Sequence, residues 1–496
     1  MSSTELKGDL VTVGAPTDAD NHEASVGETY THEVFKKTAD GVDFRTVGWK
    51  RTSVIFMKLQ FALGVLNIPS AIYVLGAVGG AFNVVGWGLL NTYGGYVLGN
   101  FRKRHPECHG IADMAFVCGG PIAREAVEVL FVFTYVLSAG ASMLGVTIAI
   151  NALSDHAACT VWWSFLSTIV VIAAASIRKF EKIGWITWVG FASIFTAVFI
   201  VVIGVTTIDR PAAAPQTGPY DLGYHAIAYP DFVNGIVAVV IIFVSSSATS
   251  AMVPVISEMK NPAHYNRALF TAQGTINSSY LTFGLVVYAY CGKWVASPSL
   301  GSAGPTVKKV AYGVGLIGLV VSGLLWLHVP AKIVFVRILR NSKHLQANTM
   351  THWCTWFGCT ISLGIVAFLL AEAIPVFYSI VALSGAICFA PMAICLPAWF
   401  WLHDHAEYRS NTVGRRAVYY LHCFFLLLGT FLTVGGTYGT VQQVVDLYAN
   451  GSTVAQIIPD QPEGYSSYSV WVARALGDIV ASQFTPANKL TNVAYV

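Results

Sequence analysis

Stretches of about 20 apolar residues, the length needed to cross roughly 30 Å of hydrocarbon, recur eleven times in this 496-residue chain. Their approximate spans are 53–75, 79–101, 127–151, 160–177, 184–208, 232–257, 270–292, 310–336, 353–371, 374–402 and 418–445. In lipid a backbone must satisfy its own N–H and C=O groups, and segments of this length do so as helices. The composition agrees: 55% of residues are hydrophobic and 11% are charged, against about 25% charged in soluble proteins. The expected fold is therefore an all-α polytopic membrane protein with about eleven transmembrane helices, and an ordinary soluble enzyme is excluded.

The charges divide the chain. Residues 1–50 hold nine acidic and five basic side chains and no apolar stretch, and read as a cytoplasmic N-terminal tail without a cleavable signal. Residues 51–445 form the transmembrane domain, and 446–496 a polar C-terminal tail expected outside. With the N-terminus inside, 21 of the 29 Lys and Arg fall on cytoplasmic segments and six on outer ones, the bias that sets orientation in membranes. Asn450-Gly-Ser is then a glycosylation sequon on the outer side. The net charge of +3 gives no argument for a nucleic-acid partner. The nine Cys show no metal-ligand or CxxC spacing, so no metal or cofactor is expected. A polytopic membrane enzyme has little support, since His32-Glu-Val-Phe-Lys36 lacks the second His of a zinc protease signature and lies in the tail. No nucleotide-binding motif is present, so any transport must draw on an ion gradient. The Gly95 and Gly99 pair reads as helix packing within the chain rather than a dimer face.

Two spans are interrupted. Span one reads Leu63-Gly-Val-Leu-Asn-Ile-Pro-Ser-Ala, which puts Gly64, Asn67 and Pro69 at mid-membrane. Proline lacks an N–H and clashes with the carbonyl four residues back, freeing backbone groups near Val65. A simple kink would account for that proline alone. Span six, however, carries Ser245-Ser-Ser-Ala-Thr-Ser250 followed by Pro254, five hydroxyl residues in six positions. Paired interrupted helices five spans apart point to an inverted-repeat transporter with its site at the midplane.

Leu63-Gly-Val-Leu-Asn-Ile-Pro-Ser-Ala, Glu258-Met-Lys-Asn-Pro and His328-Val-Pro-Ala-Lys-Ile-Val-Phe-Val-Arg-Ile-Leu-Arg together resemble the amino acid/auxin permease family, its fungal neutral amino acid permease branch in particular, over about residues 45–445. The resemblance implies the leucine-transporter-like fold, a five-plus-five inverted repeat with helices one and six broken. It also implies proton-coupled uptake of neutral aliphatic and aromatic amino acids at the plasma membrane. By the same resemblance, the unwound backbone of Gly64, Val65 and Leu66, beside Asn67, takes the substrate carboxylate. Carbonyls and hydroxyls of Ser245, Ser246, Ser247 and Thr249 take its ammonium. Phe61, Phe243 and Tyr135 are candidates to close the side-chain pocket.

Four charged or titratable residues within or beside spans are candidates for proton coupling: Lys58, Glu258, His328 and Lys332. Burying such groups costs at least about 2.5–3.5 kcal/mol each at the membrane centre. Glu258 and Lys332 lie near span ends, where a long side chain can snorkel or pair. Sodium-coupled relatives carry an asparagine where this chain has Lys58 and a threonine where it has His328, both beside the cation site. A tethered ammonium on span one could take the place of sodium, with His328 as partner; the alternative is that Lys58 reaches cytoplasmic water. A sodium-coupled or differently selective transporter, or a transport-like nutrient sensor, shares the same fold. Cys159 and Cys291 both fall on the outer side, where they could form a disulfide or stand alone.

Overall fold

The computed structural model describes residues 47–449 apart from 62–63, 178–179, 340–341, 343, 345–348 and 375. The side chains of 180–184, 257–258 and 447–449 are not described, and the two tails, with Asn450, lie outside these residues. The described chain is helical, with one isolated backbone bridge between Val47 and Met259. Its helices are α1 (Trp49–Gln60), α2 (Ile68–Arg104), α3 (Ile111–Ser154), α4 (Thr160–Ala175), α5 (Phe180–Thr206), α6 (Phe232–Ser245), α7 (Thr249–Glu258), α8 (Tyr265–Cys291), α9 (Pro305–Leu339), α10 (Met350–Ala373), α11 (Phe377–Ser384), α12 (Leu396–Asp404) and α13 (Val413–Ala449).

Eight segments among the described residues are long and apolar enough to cross a membrane. The short α4, the more polar α8, and α1 continued into the first turns of α2 complete the eleven crossings. Helix α8 carries polar residues on both faces: Gln273 and Tyr280 are buried, whereas Thr271, Thr275 and Ser278 are exposed. Helix α2 holds two crossings in one run. At Gly76 the backbone turns with φ +78°, a left-handed conformation that a side chain would strain. The N–H groups of Ala77 and Val78, which a helix start leaves unpaired, donate to the carbonyls of His225 and Ala226 at 3.1 and 2.9 Å. Those carbonyls belong to the long 207–231 connection, which is anchored in turn on the α8–α9 connection. Lys293 N–H donates to Leu222 O at 2.9 Å, and its ammonium lies 3.1 Å from Asp221. The Gly223 backbone N–H, with Lys293 beside it, holds the Asp221 carboxyl below the ordinary carboxylate value.

Small residues set the closest helix crossings. A Cβ on Gly99 would lie 2.2 Å from the Tyr265 ring, whose hydroxyl donates to Gly95 O at 2.7 Å. The Gly95 and Gly99 pair thus seats α8 against α2 inside the chain. Over its apolar stretch the sixth crossing, α6 with α7, is 89% buried, whereas the apolar stretch of α13 is 17% buried and lies at the periphery. Helix α9 packs on α3, α5, α4 and α10, while α2 packs on α6 and α8. The tenth crossing is continuous but loosened between α11 and α12 by two π-helical turns, Gly385–Phe389 and Pro391–Cys395, a distortion that often accompanies functional sites.

Candidate functional site

Both interruptions foreseen in the sequence are present. Helix α1 ends at Gln60, and Phe61 N–H closes the end on Met57 O at 2.8 Å. A single 3-10 turn, Val65–Asn67, leads into α2. Pro69 lies in the first turn of α2, where the N–H it lacks has no intrahelical acceptor to lose. Helix α6 ends at Ser245, and α7 begins again at Thr249.

The serines of the second interruption satisfy the helix they end. The hydroxyls of Ser245 and Ser247 donate to Ile241 O and Phe243 O at 2.7 and 2.6 Å, and Ser246 to Phe243 O at 3.2 Å. They thereby add side-chain donors to carbonyls in the last turn of their own helix, Phe243 O also accepting the Ser246 N–H. Asn91 of α2 donates to the Ser246 hydroxyl at 3.0 Å. Thr249 is fully buried, and no hydrogen bond to its hydroxyl is found among the described residues.

The two interruptions touch. A Cβ on Gly64 would lie 2.6 Å from Ser245 Cα, so only glycine permits this approach. Beside the contact is a cavity of about 40 Å³, lined by Leu59, Gln60 and Gly64 of the first crossing, Ser138 and Ala141 of α3, Val244, Ser245 and Ala248 of the sixth, Trp326 of α9, and Val381, Ser384 and Phe389 of the tenth. No lining side chain is charged. Each serine there has already committed its proton to its own helix: Ser138 to Thr134 O, Ser245 to Ile241 O and Ser384 to Val381 O, at 2.7 to 2.9 Å. What they present to the cavity is lone pairs. The Gln60 amide, 4% exposed, has neither its oxygen nor its nitrogen hydrogen-bonded to a described group.

The aromatic residues expected to wall the pocket sit elsewhere. Phe61 stacks on Tyr280 and meets Phe191 and Phe195. Phe243 packs against Trp87. Tyr135 stacks on Phe131 one layer behind Trp326, with its hydroxyl toward Ser250. Trp326 and Phe389 form the aromatic wall instead, 6.1 Å apart between centroids. The side chains of Val65, Leu66 and Asn67 are buried beyond the cavity lining. Asn67 accepts from the Ser297 hydroxyl at 3.0 Å, and Ser70 donates to Ala296 O at 3.3 Å, so the α8–α9 connection grips the start of α2.

Lys58 is 1% exposed. Its ammonium donates to Gly318 O at 3.1 Å and to the Ser322 hydroxyl at 2.7 Å, both on α9. On the α5 side its stem lies so close to Gly190 that an added Cβ there would be 3.0 Å from Lys58 Cε. Both hydrogen-bonded partners are uncharged. The pairing with His328 is not formed. His328 faces α4 and α10 instead, with Nδ1 3.0 Å from Ala175 O and its ring edge-on to Trp356. The reason is helical geometry: six residues beyond Ser322 a side chain has turned about 240° around the axis and advanced about 9 Å. Lys332 is exposed near the end of α9, consistent with a snorkelling side chain. The side chain of Glu258 lies outside the described residues.

The two outer cysteines are not brought together. Cys159 and Cys291 are free thiols, the first exposed before α4 and the second fully buried at the end of α8. Helix α4 packs on α3, α9 and α10, and α8 on α1, α2 and α5, so a bridge would have to draw Cys291 out of the core.

A family model described as transmembrane amino acid transporter protein matches residues 45–442. A protein of Fusarium pseudograminearum named transmembrane transporter is 45% identical over 432 residues, covering 87% of this chain and 90% of that protein. The N amino acid transport system protein of Neurospora crassa is 28% identical over 421 residues, covering 82% of this chain and 87% of its own. Among solved structures, a Na+-coupled sialic acid symporter in a substrate-bound outward-open state superposes with a TM-score of 0.52 at 12% identity, covering 80% of this chain and 90% of that one. At that identity the likeness is of fold alone, and the fold is the leucine-transporter-like one. Two touching interrupted helices, a cavity between them and a family match over most of the chain lead to one conclusion: this protein belongs to the transmembrane amino acid transporter family, the amino acid/auxin permeases.

Proposed function

We propose that this transporter carries neutral amino acids, aliphatic and aromatic, into the cell by proton symport, with the cavity at the two interruptions opening alternately to either side. The observation that carries the reading is the lining of that cavity. Three serine hydroxyls that have given away their protons can only accept, which suits a substrate ammonium, and the Gln60 amide supplies N–H donors for a carboxylate. The backbone at Gly64 and the N-terminal end of α7 add the positive ends of half-helices for the same carboxylate. An uncharged remainder, with Trp326 and Phe389 as walls, supports neutral side chains.

Proton coupling rests on Lys58. An ammonium held by a carbonyl and a hydroxyl, between α1, α5 and α9, occupies a position where a small cation could otherwise be bound, and its charge is not cancelled by a carboxylate partner among the described residues. Losing or gaining one proton there changes what holds α1 to α9. The Lys and Arg distribution supports an N-terminus in the cytoplasm, and the family resemblance supports a place in the plasma membrane. The test is uptake of labelled leucine, phenylalanine, lysine and glutamate in cells or vesicles, with sodium replaced and with a protonophore. Concentrative uptake of the first two that survives sodium replacement and collapses with the protonophore is expected; uptake that requires sodium would overturn the coupling.

A further inference from the structure

Two backbone carbonyls with no helical partner converge on one hydroxyl. Gln60 and Ser245 are the last residues of α1 and α6, so their carbonyls are among those for which no later N–H is available. Each also marks the negative pole of its half-helix, and two negative poles facing one point repel. Tyr280, from α8 and 2% exposed, places its hydroxyl 2.8 Å from Gln60 O and 2.9 Å from Ser245 O. Its ring is fixed by Phe61, stacked at 5.6 Å with 16° between planes. A phenol has one proton, and here that proton is shared between two acceptors at nearly equal distance.

We propose that Tyr280 is a positioning residue for transport, a clasp that makes the two interruptions move as one unit against α8. This rests on the reading of the adjoining cavity as the substrate site. Opening that cavity requires the half-helices to shift. With one proton and two acceptors, the clasp can lean toward either carbonyl as they shift while keeping both ends tied to α8. Tyr280 does not line the cavity, so its hydroxyl acts through Gln60 and Ser245, which do.

The experiment uses full-length protein carrying Tyr280→Phe, which keeps the ring and its stacking and removes only the hydroxyl. Amide hydrogen exchange is followed in peptides spanning residues 64–67 and 246–248. Protection at both is expected to fall together by about tenfold, the order expected for one buried hydrogen bond, while peptides from α13 are unchanged. Exchange of labelled amino acid across the membrane is expected to slow by about fivefold or more with Kd changed less than about threefold, the pattern of a group that acts on a step other than binding. Loss of protection at one interruption or at neither overturns the proposal, as does a weakened Kd with an unchanged rate. Should Tyr280→Phe not fold, 3-fluorotyrosine at position 280 keeps the shape and strengthens the donor, and unchanged protection at both interruptions then counts against the clasp. The hydrogen-exchange measurement needs no substrate, so absence of amino acid uptake by the wild type would remove the reading of the cavity and leave the clasp to be judged by itself.

Discussion

At the residue scale the chemistry concentrates in Lys58. Replacing it with Met keeps an unbranched apolar stem of similar reach and removes the ammonium, leaving Gly318 O and the Ser322 hydroxyl to one another, since Ser322 already donates to Gly318 O at 2.8 Å. If Lys58 carries the proton, Lys58→Met loses concentrative uptake by about tenfold or more while exchange of labelled for unlabelled substrate continues, because only the gradient-linked step is gone. Uptake by Lys58→Met that stays fully dependent on the pH gradient would sink the assignment. The sequence made Lys58 visible because a lone lysine in an apolar span is costly. It did not show the contacts of Lys58 with Gly318 and Ser322, since proximity to a proline and a shared resemblance say nothing about which face of α9 a side chain occupies. Gln60, Trp326 and Tyr280 were not legible at all. Each is an ordinary residue for its place in a span, and its role appears only when α1, α8, α9 and the tenth crossing come together.

At the scale of elements, the paired interruptions are the part of the fold that the residue pattern predicts best. Proline in a half-helix start and a dense hydroxyl run both act locally, over four residues, so a linear reading can find them. The hydroxyl run was legible as a break, whereas the return of its serines onto carbonyls of their own helix, with Ser245 alone of the three at the cavity, was not. Their capping bonds use the proton and leave only lone pairs facing inward. The contact between the two interruptions has a sharper consequence. An alanine at position 64 would put its Cβ 2.6 Å from backbone at Ser245, which cannot rotate away as a side-chain end can. Gly64→Ala is expected to lower stability by about 1–3 kcal/mol, the usual cost of forcing an atom into a packed site, and to widen the gap between α1 and α6. Thermal unfolding of the purified variant measures the first effect, and loss of substrate affinity the second. An unfolding temperature and affinity equal to the wild type would mean that the two interruptions are not held together as described.

At the scale of the whole molecule, eleven apolar stretches were sufficient to give the number of crossings, since hydrocarbon thickness sets helix length directly. They were insufficient to show that two crossings run on through a kink at Gly76 held by the 207–231 connection. That grip is made of backbone hydrogen bonds from a polar segment with no periodic signal. Orientation is the remaining property that belongs to the molecule as a whole. It rests on the Lys and Arg excess, 21 against six, and it can be read with a residue already present. Cys159 is a free, exposed thiol immediately before α4, in a connection assigned to the outer side. A membrane-impermeant maleimide should label it in intact cells, and Cys159→Ser should remove that labelling. Cys291 is buried and does not compete for the reagent. If the label attaches to Cys159 only after permeabilisation, the chain is inserted the other way, and the Lys and Arg excess does not set its orientation.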